Sequence, residues 1–380
     1  MNKRIVGWSA LAAAGLAGAA GGAWIASLPP APTTWNPPPI GKDEADAALA
    51  ALKPPKRLRP VVAIIGINDT TETTDYLMPY GILKRADVAD VVALATAPGP
   101  VDLYPALTVR PDATIAEFET QYPDGADYVI VPQMSRGDDP VVLDFLNRQA
   151  AKGATVVGVC AGARIVAAAG LLDGKRATTH WYYLDELLDH PRIAYVADRR
   201  LVTDRGVATT TGVTASMPMT LTLIEAIAGR DKAEDIAMDL GLAAWDARHD
   251  SSAFRFTRPF ALTAIQNTLA FWNRERLGIE LAPGVDEVSL ALVADAWSRT
   301  SRSRALTFAA GNEVRTRSGL NVVPDETTSS WPAERRIPAL EPRPAAALEE
   351  TLAQIEDRYG RPTSDFVAMQ LEYPPQRLIR

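Results

Sequence analysis

Five short apolar runs constrain this chain more than anything else in it. They are VVAIIGIN (61–68), ADVVALAT (89–96), ADYVIVPQ (126–133), ATVVGVC (154–160) and GVATTTG (206–212), with helix-like segments between several of them. Runs of this length that are apolar on both faces read as fully buried strands. Alternating with helices, they predict an α/β domain with a mostly parallel sheet covered on both sides. In such sheets ligands bind beyond the carboxyl ends of the strands, so the ends of these runs are where chemistry is to be sought.

The fourth run ends in Val157-Gly158-Val159-Cys160-Ala161-Gly162-Ala163-Arg164 and passes into the helical run 165–172. This is the form of a nucleophile elbow: a strand, a small residue, the nucleophile, another small residue, glycine, helix. Gly158 and Gly162 remove the side chains that would clash where the chain reverses. The thiol is then aimed into the crevice at a helix N-terminus, which predicts a lowered pKa. The Ala161 N–H is placed to stabilise an oxyanion. Cys160 is the chain's one cysteine, so no intrachain disulfide and no cysteine-based zinc cluster can form. Three histidines (His180, His190, His249) without an H-x-x-x-H pair argue against a metal site, and nothing calls for a cofactor.

The stretch 159–181, VCAGARIVAAAGLLDGKRATTHW, resembles the elbow region of the ThiJ/PfpI superfamily (class I glutamine amidotransferase-like). It is most similar to the branch that holds isocyanide hydratases and the ligand domains of AraC-type regulators. Thr74-Asp75-Tyr76-Leu77-Met78-Pro79 resembles that branch's L-D-x-x-G-P element, and TTTGVTASMPMTLTLIEAI (209–227) its turn into a late helix. The resemblance covers roughly 60–245 and implies a flavodoxin-like sheet sandwiched by helices. It further implies Cys160 as nucleophile with Asp75 beside the sulfur as general acid. Glu72 is the alternative acid. His180 would lie near the pocket, in a capping or packing role. The family's Gly-Gly loop reads Gln133-Met134-Ser135-Arg136 here, and Gln133 would carry the second oxyanion donor. Met78 replaces a family glycine. Ala161 stands where the peptidases have histidine, so proteolysis is not expected. Three functions stay open: a cysteine-dependent hydratase or hydrolase acting on a small molecule, a ligand- or redox-sensing domain without a DNA-binding part, or a non-catalytic structural partner of an envelope complex. The formal net charge of −7 and the lack of a basic stripe argue against nucleic acid.

Ahead of this domain, Lys3 and Arg4 precede an uncharged apolar stretch, Ile5 to Leu28. About twenty such residues span a hydrocarbon core. With the positive flank kept inside, residues 1–28 read as a signal anchor that leaves the main domain outside the cytoplasm. Small residues at Ala17-Gly18-Ala19 keep a cleavable signal peptide, and so a secreted protein, open. Prolines gather at 29–60 and 332–375, which predicts a linker over 29–58 and extended wraps near the end.

The later part repeats the earlier one. Laying 91–114 on 304–327 matches Val101/Val314, Leu107/Leu320, Val109/Val322, Pro111/Pro324 and Asp112/Asp325. Laying 221–241 on 352–372 matches Ile224/Ile355, Glu225/Glu356, Gly229/Gly360 and Arg230/Arg361. Beyond a connecting segment at 246–275, residues 276–380 are therefore expected to form a degenerate second copy without the elbow. It should run strand–helix–strand, then a proline-rich connection, then helix. Its open sheet edge must be covered by the first domain or by a second chain in a homodimer.

Overall fold

The structure is a computed structural model that describes residues 21–338 and 343–374. α1 (described over 21–27) leads through an extended stretch to α2 (Lys42–Ala51). The first unit begins with β1 (Val61–Gly66), β2 (Thr71–Glu72), α3 (Thr73–Ala86), β3 (Asp90–Ala95), β4 (Val101–Tyr104), β5 (Thr108–Arg110) and β6 (Ala113–Thr114). It continues with α4 (Ile115–Gln121), β7 (Tyr128–Val131), α5 (Pro140–Ala151), β8 (Thr155–Gly158), α6 (Gly162–Ala168) and β9 (Arg176–Ala177). It closes with α7 (Leu184–Leu188), β10 (Ala194–Tyr195), β11 (Leu201–Asp204), β12 (Val207–Thr210), α8 (Ser216–Ala228) and α9 (Arg230–Leu240). After α10 (Arg258–Leu269) a second unit follows: β13 (Glu275–Glu280), α11 (Glu287–Ser298), β14 (Ser303–Ala309), β15 (Val314–Arg315), β16 (Asn321–Val323), β17 (Glu326–Thr327), α12 (Pro344–Tyr359) and α13 (Arg361–Gln370).

The main sheet has the order β11-β12-β8-β7-β1-β3-β6 and is parallel except for the β11–β12 pair. The apolar runs explain it. Every residue of β1 is buried. Val62 and Ile64 join the core layer with Leu77 of α3 and Leu221 of α8. Val61, Ala63 and Ile65 face the other layer, with Phe118 of α4 and Phe145 of α5. The α/β class with a mostly parallel sheet is as the pattern of short runs predicts.

The second unit has its own three-stranded parallel sheet, β13-β14-β17, in the same order as β1-β3-β6. Shifting β5 and β6 by 213 residues lands on β16 and β17 to the residue. Gly229 and Gly360 both break a helix pair in the same left-handed conformation, at φ 90 and 87. The units join along β5 and β16, which pair antiparallel as Thr108↔Val323, Val109↔Val322 and Arg110↔Asn321. Equivalent residues thus exchange places about Val109–Val322, which is a local two-fold axis. The β5 edge is filled by β16, so a second chain cannot pair there.

Two details depart from the proline-based expectation. Within 29–58 the chain forms α2, because KDEADAALAA holds no proline and is rich in alanine. It is tied to the domain through Glu44, which pairs with Arg199 at 2.6 Å. Near the C-terminus Pro344 and Pro362 sit in the first turns of α12 and α13, where a missing N–H costs nothing. Residues 1–20, with most of the expected membrane segment, lie outside the described residues. Among the described residues no helix is long and apolar enough to cross a membrane.

The tightest contact between the units is α3 against α11. A side chain at Gly81 would meet Val288 Cγ2 at 2.7 Å and run into the Glu287 carboxyl. Glu287 is fully buried there, accepting from Ser318 N at 3.1 Å and from its hydroxyl at 2.5 Å. Gly81→Leu is therefore expected to cost about 1–3 kcal/mol by overpacking. A urea titration reads this as a lower midpoint at unchanged slope; an unchanged midpoint would mean the helices part without cost.

Candidate active site around Cys160

β8 ends at Gly158, and the chain turns so sharply that Cys160 has φ 56. A residue that is not glycine is strained in this region and stays only where its surroundings enforce it. Both flanking glycines are required by close approach. A Cβ on Gly158 would lie 2.9 Å from the Ala163 backbone, and one on Gly162 would run into the Val131 carbonyl oxygen. The Cys160 N–H donates to Thr210 Oγ1 at 3.0 Å, and the Thr179 hydroxyl donates to the Cys160 carbonyl at 3.2 Å. The ATTTG and RATTH stretches thus act as the braces of the elbow.

The acid side is built from the start of α3. Glu72 is its N-cap, with one carboxylate oxygen accepting from Asp75 N at 2.6 Å and from the Thr74 hydroxyl at 2.8 Å. The other oxygen accepts from Arg299 at 2.8 Å. Asp75 is wholly buried. Its Oδ2 accepts from Gln133 N at 3.1 Å, while Oδ1 has no partner. Burial first, and then the nearby Glu72 carboxylate, push Asp75 well above the usual carboxylate range, which favours its protonated form. Its charge, were it ionised, would act directly on the thiol.

The thiol itself departs from the expectation of a lowered pKa. Burial, followed by Asp75, Glu72 and Glu372, pushes Cys160 up. The Ala161 N–H, within reach of the sulfur, works the other way. α6 is seven residues long, and its dipole does not outweigh a buried site with three carboxyl groups nearby. The arrangement therefore favours the neutral forms of both the thiol and the Asp75 carboxyl.

The second oxyanion donor is also placed differently. Gln133 N–H is directed at Asp75, and its loop is pinned to the segment before α3 by Glu72 N to Gln133 O at 2.8 Å and Ser135 N to Thr70 O at 3.1 Å. The Gln133 side chain accepts from Arg164 at 3.2 Å instead. His180 uses both ring nitrogens: Nδ1 accepts from Tyr182 N at 3.1 Å, which leaves Nε2–H to donate to the Gln370 carbonyl at 2.9 Å. Burial lowers its pKa, so it is a neutral capping residue at the wall.

Around Cys160 opens a cleft of ≈ 380 Å³ bordered by Glu72, Gln133, Arg164, His180 and Arg299, among others. Arg299, at the end of α11, was not singled out by the sequence. Its Nε donates to Asp295 at 2.7 Å, and burial pushes Asp295 up to about 8 although Arg299 opposes this. Glu372 was missed too. It is buried and accepts from Trp181 N at 2.7 Å and Gly212 N at 2.9 Å, with His249 Nε2 at 3.5 Å. The last described residues of the chain thereby clamp the two loops next to the elbow. Among the described residues no cluster of histidine, cysteine and carboxylates could hold a metal ion.

Comparison with known proteins agrees with this geometry. A family model, DJ-1/PfpI, matches residues 61–226. The isonitrile hydratase of Pseudomonas putida is 33% identical over 174 residues, which are 44% of this chain and 73% of that protein. The chain belongs to the DJ-1/PfpI family. The HTH-type transcriptional regulator GbdR of Pseudomonas aeruginosa is 40% identical over 88 residues, 23% of this chain and 24% of the regulator. A solved structure of a ThiJ/PfpI family protein from Pseudomonas syringae covers 61% of this chain and 92% of its own, with 23% identity and a TM-score of 0.47. The DJ-1/PfpI match stops at 226, yet the site draws on Arg299 and Glu372 from beyond it. In this DJ-1/PfpI protein the second unit finishes the walls of the pocket.

Two measurements test this electrostatic arrangement. Iodoacetamide should label the folded protein slowly at neutral pH, with a rate that climbs only above the free-thiol value of about 8.5. Asp75→Asn removes a group whose negative charge, once formed as pH rises, would oppose the thiolate, and should move that climb to lower pH. A climb well below 8.5 in the parent protein would show the helix terminus to dominate after all. Glu372→Ala leaves two buried N–H groups unpaired and should lower stability by at least about 2 kcal/mol. Faster amide exchange at Trp181 and Gly212 should accompany that loss.

Proposed function

We propose that Cys160 adds to a small electrophilic carbon and that an isonitrile is the substrate class the site suits best. The carrying observation is the Asp75 carboxyl: wholly buried, with Oδ1 unpartnered, its neutral form favoured by that burial, and close enough to influence the thiol. In the first step the sulfur bonds to the terminal carbon of R–NC. The thiol proton is delivered to that same carbon through Asp75, giving a thioimidate, Cys–S–CH=N–R. Water then adds to the carbon, the C–S bond breaks, and the formamide R–NH–CHO leaves with the thiol restored. Thiol addition to an isonitrile builds no oxyanion. A site whose Gln133 N–H is already engaged by Asp75 suits such an addition better than ester or peptide cleavage, which needs two donors on a developing oxygen charge. The identity to an isonitrile hydratase supports the same reading.

A second reading, a ligand-sensing domain without turnover, draws on the regulator relatives and on the pinned Gln133 loop. We also read residues 276–374 as a degenerate copy of the first fold that serves as a built-in partner. The uncharged stretch Ile5–Leu28 behind Lys3 and Arg4 is read as a membrane anchor, with the body outside the cytoplasm.

Turnover of alkyl isonitriles to formamides, set beside p-nitrophenyl acetate and methylglyoxal, tests the proposal. Formamide should form, at a rate reduced to background by Cys160→Ser and by about a hundredfold or more by Asp75→Asn. Saturable isonitrile binding without formamide would select the sensing domain, and turnover of the ester alone would sink the addition chemistry.

A further inference from the structure

We propose that the outer face of α10 and the turn after it form a membrane-contacting surface, seated among the lipid headgroups beside the N-terminal anchor. This rests on the reading of Ile5–Leu28 as inserted, and extends it to a site within the folded body.

α10 turns two polar residues inward, while Gln266 and Thr268 stay on the exposed side. Asn267 is buried and donates to the Thr300 carbonyl at 3.0 Å and to Thr363 at 3.1 Å, and Thr263 is buried beside Phe260 and Ala261. The opposite side carries Leu262, Ile265 and Leu269, spaced three and four residues apart, and all are exposed. Phe271 and Trp272 follow at 64% and 69% exposure. A surface helix facing only water keeps such large aliphatic side chains inward. Apolar positions in register with exposed aromatics are the pattern of a helix lying in a bilayer interface.

Charge points the same way. Residues 251–274 contain Arg255, Arg258 and Arg274, all exposed, and no aspartate or glutamate, in a chain whose net charge is −7. Exposed arginines around an apolar face suit anionic lipid headgroups. A second copy of this chain on the same face would bring its own three arginines against these.

The position is fixed by the path of the N-terminus. Arg258, in the first turn of α10, donates to the Ala26 carbonyl at 2.6 Å and the Leu28 carbonyl at 3.3 Å, and its N–H donates to Pro29 O at 2.8 Å. Trp24, half exposed, packs on Phe256 with ring centroids 6.4 Å apart. The end of the apolar segment is therefore bolted to the start of α10. A bilayer that receives that segment meets this face first.

The test uses the full chain in a Cys160→Ser background, in vesicles of phosphatidylcholine with one quarter phosphatidylglycerol. Single cysteines replace Leu262, Ile265 or Leu269, with Ala13 as anchor reference and Lys152 as water reference. Each carries a nitroxide whose collisions with oxygen and with a water-soluble nickel chelate are compared. The oxygen-to-nickel ratio at the three α10 positions should rise severalfold above Lys152 and approach that at Ala13. Water-like ratios on α10 with a lipid-like ratio at Ala13 would overturn the surface while leaving the anchor intact. Water-like ratios at both would show that the anchor reading itself fails, and this inference with it. Protection of α10 without lipid, with a doubled mass, would assign the face to a second copy instead.

Discussion

The site depends on one buried carboxylate with two obligations. Glu72 caps the first turn of α3 with one oxygen, which sets the direction in which Asp75 leaves the helix. With its other oxygen it holds Arg299, the end of α11 in the second unit. Neither obligation could be met by water at this depth without leaving a buried group unsatisfied. The acid that acts on the thiol and the contact between the two units are therefore settled by the same residue. The close pass of α3 over α11 at Gly81 is what lets the arginine reach.

A neutral thiol beside a neutral acid is an unusual poise for a cysteine nucleophile, which is more often prepared as a thiolate by a neighbouring cation. Both nearby cations are committed here. Arg299 is shared between Glu72 and Asp295, and Arg164 reaches Glu186 at 2.6 Å and Gln133. The cleft therefore lends its proton rather than its charge.

Much of this was legible before any coordinates. The five apolar runs foretell a parallel sheet because strands buried on both faces have no polar side to show. Gly158 and Gly162 announce the elbow because their positions tolerate no side chain, while Asp75 was singled out through the resemblance of Thr74–Pro79 to a family element. The direction of the thiol's shift was not legible, since it comes from Glu72, Glu372 and burial, which meet Cys160 only in three dimensions. Arg299 and Glu372 escaped for the same reason: they lie about 140 and 210 residues from the elbow, and nothing in their neighbourhoods marks them. Gln133 was noticed for its loop, but which way its N–H points depends on a strand-like bridge to Thr71. Proline density misjudged α2 and α12 because position within a segment matters more than count.

The axis through Val109 and Val322 carries a consequence for how the pocket is kept whole. A site walled by two separate chains exists only as far as their association does, and thins out as the protein is diluted. Here both sides of the axis are one polypeptide, so the effective concentration of Arg299 at the cleft is set by tether length and not by abundance. The pocket is as complete in a cell holding a few copies as in a concentrated solution. Tethering also frees the two halves from being identical. One carries the elbow while the other contributes only walls, an asymmetry closed to a symmetric pair of identical chains.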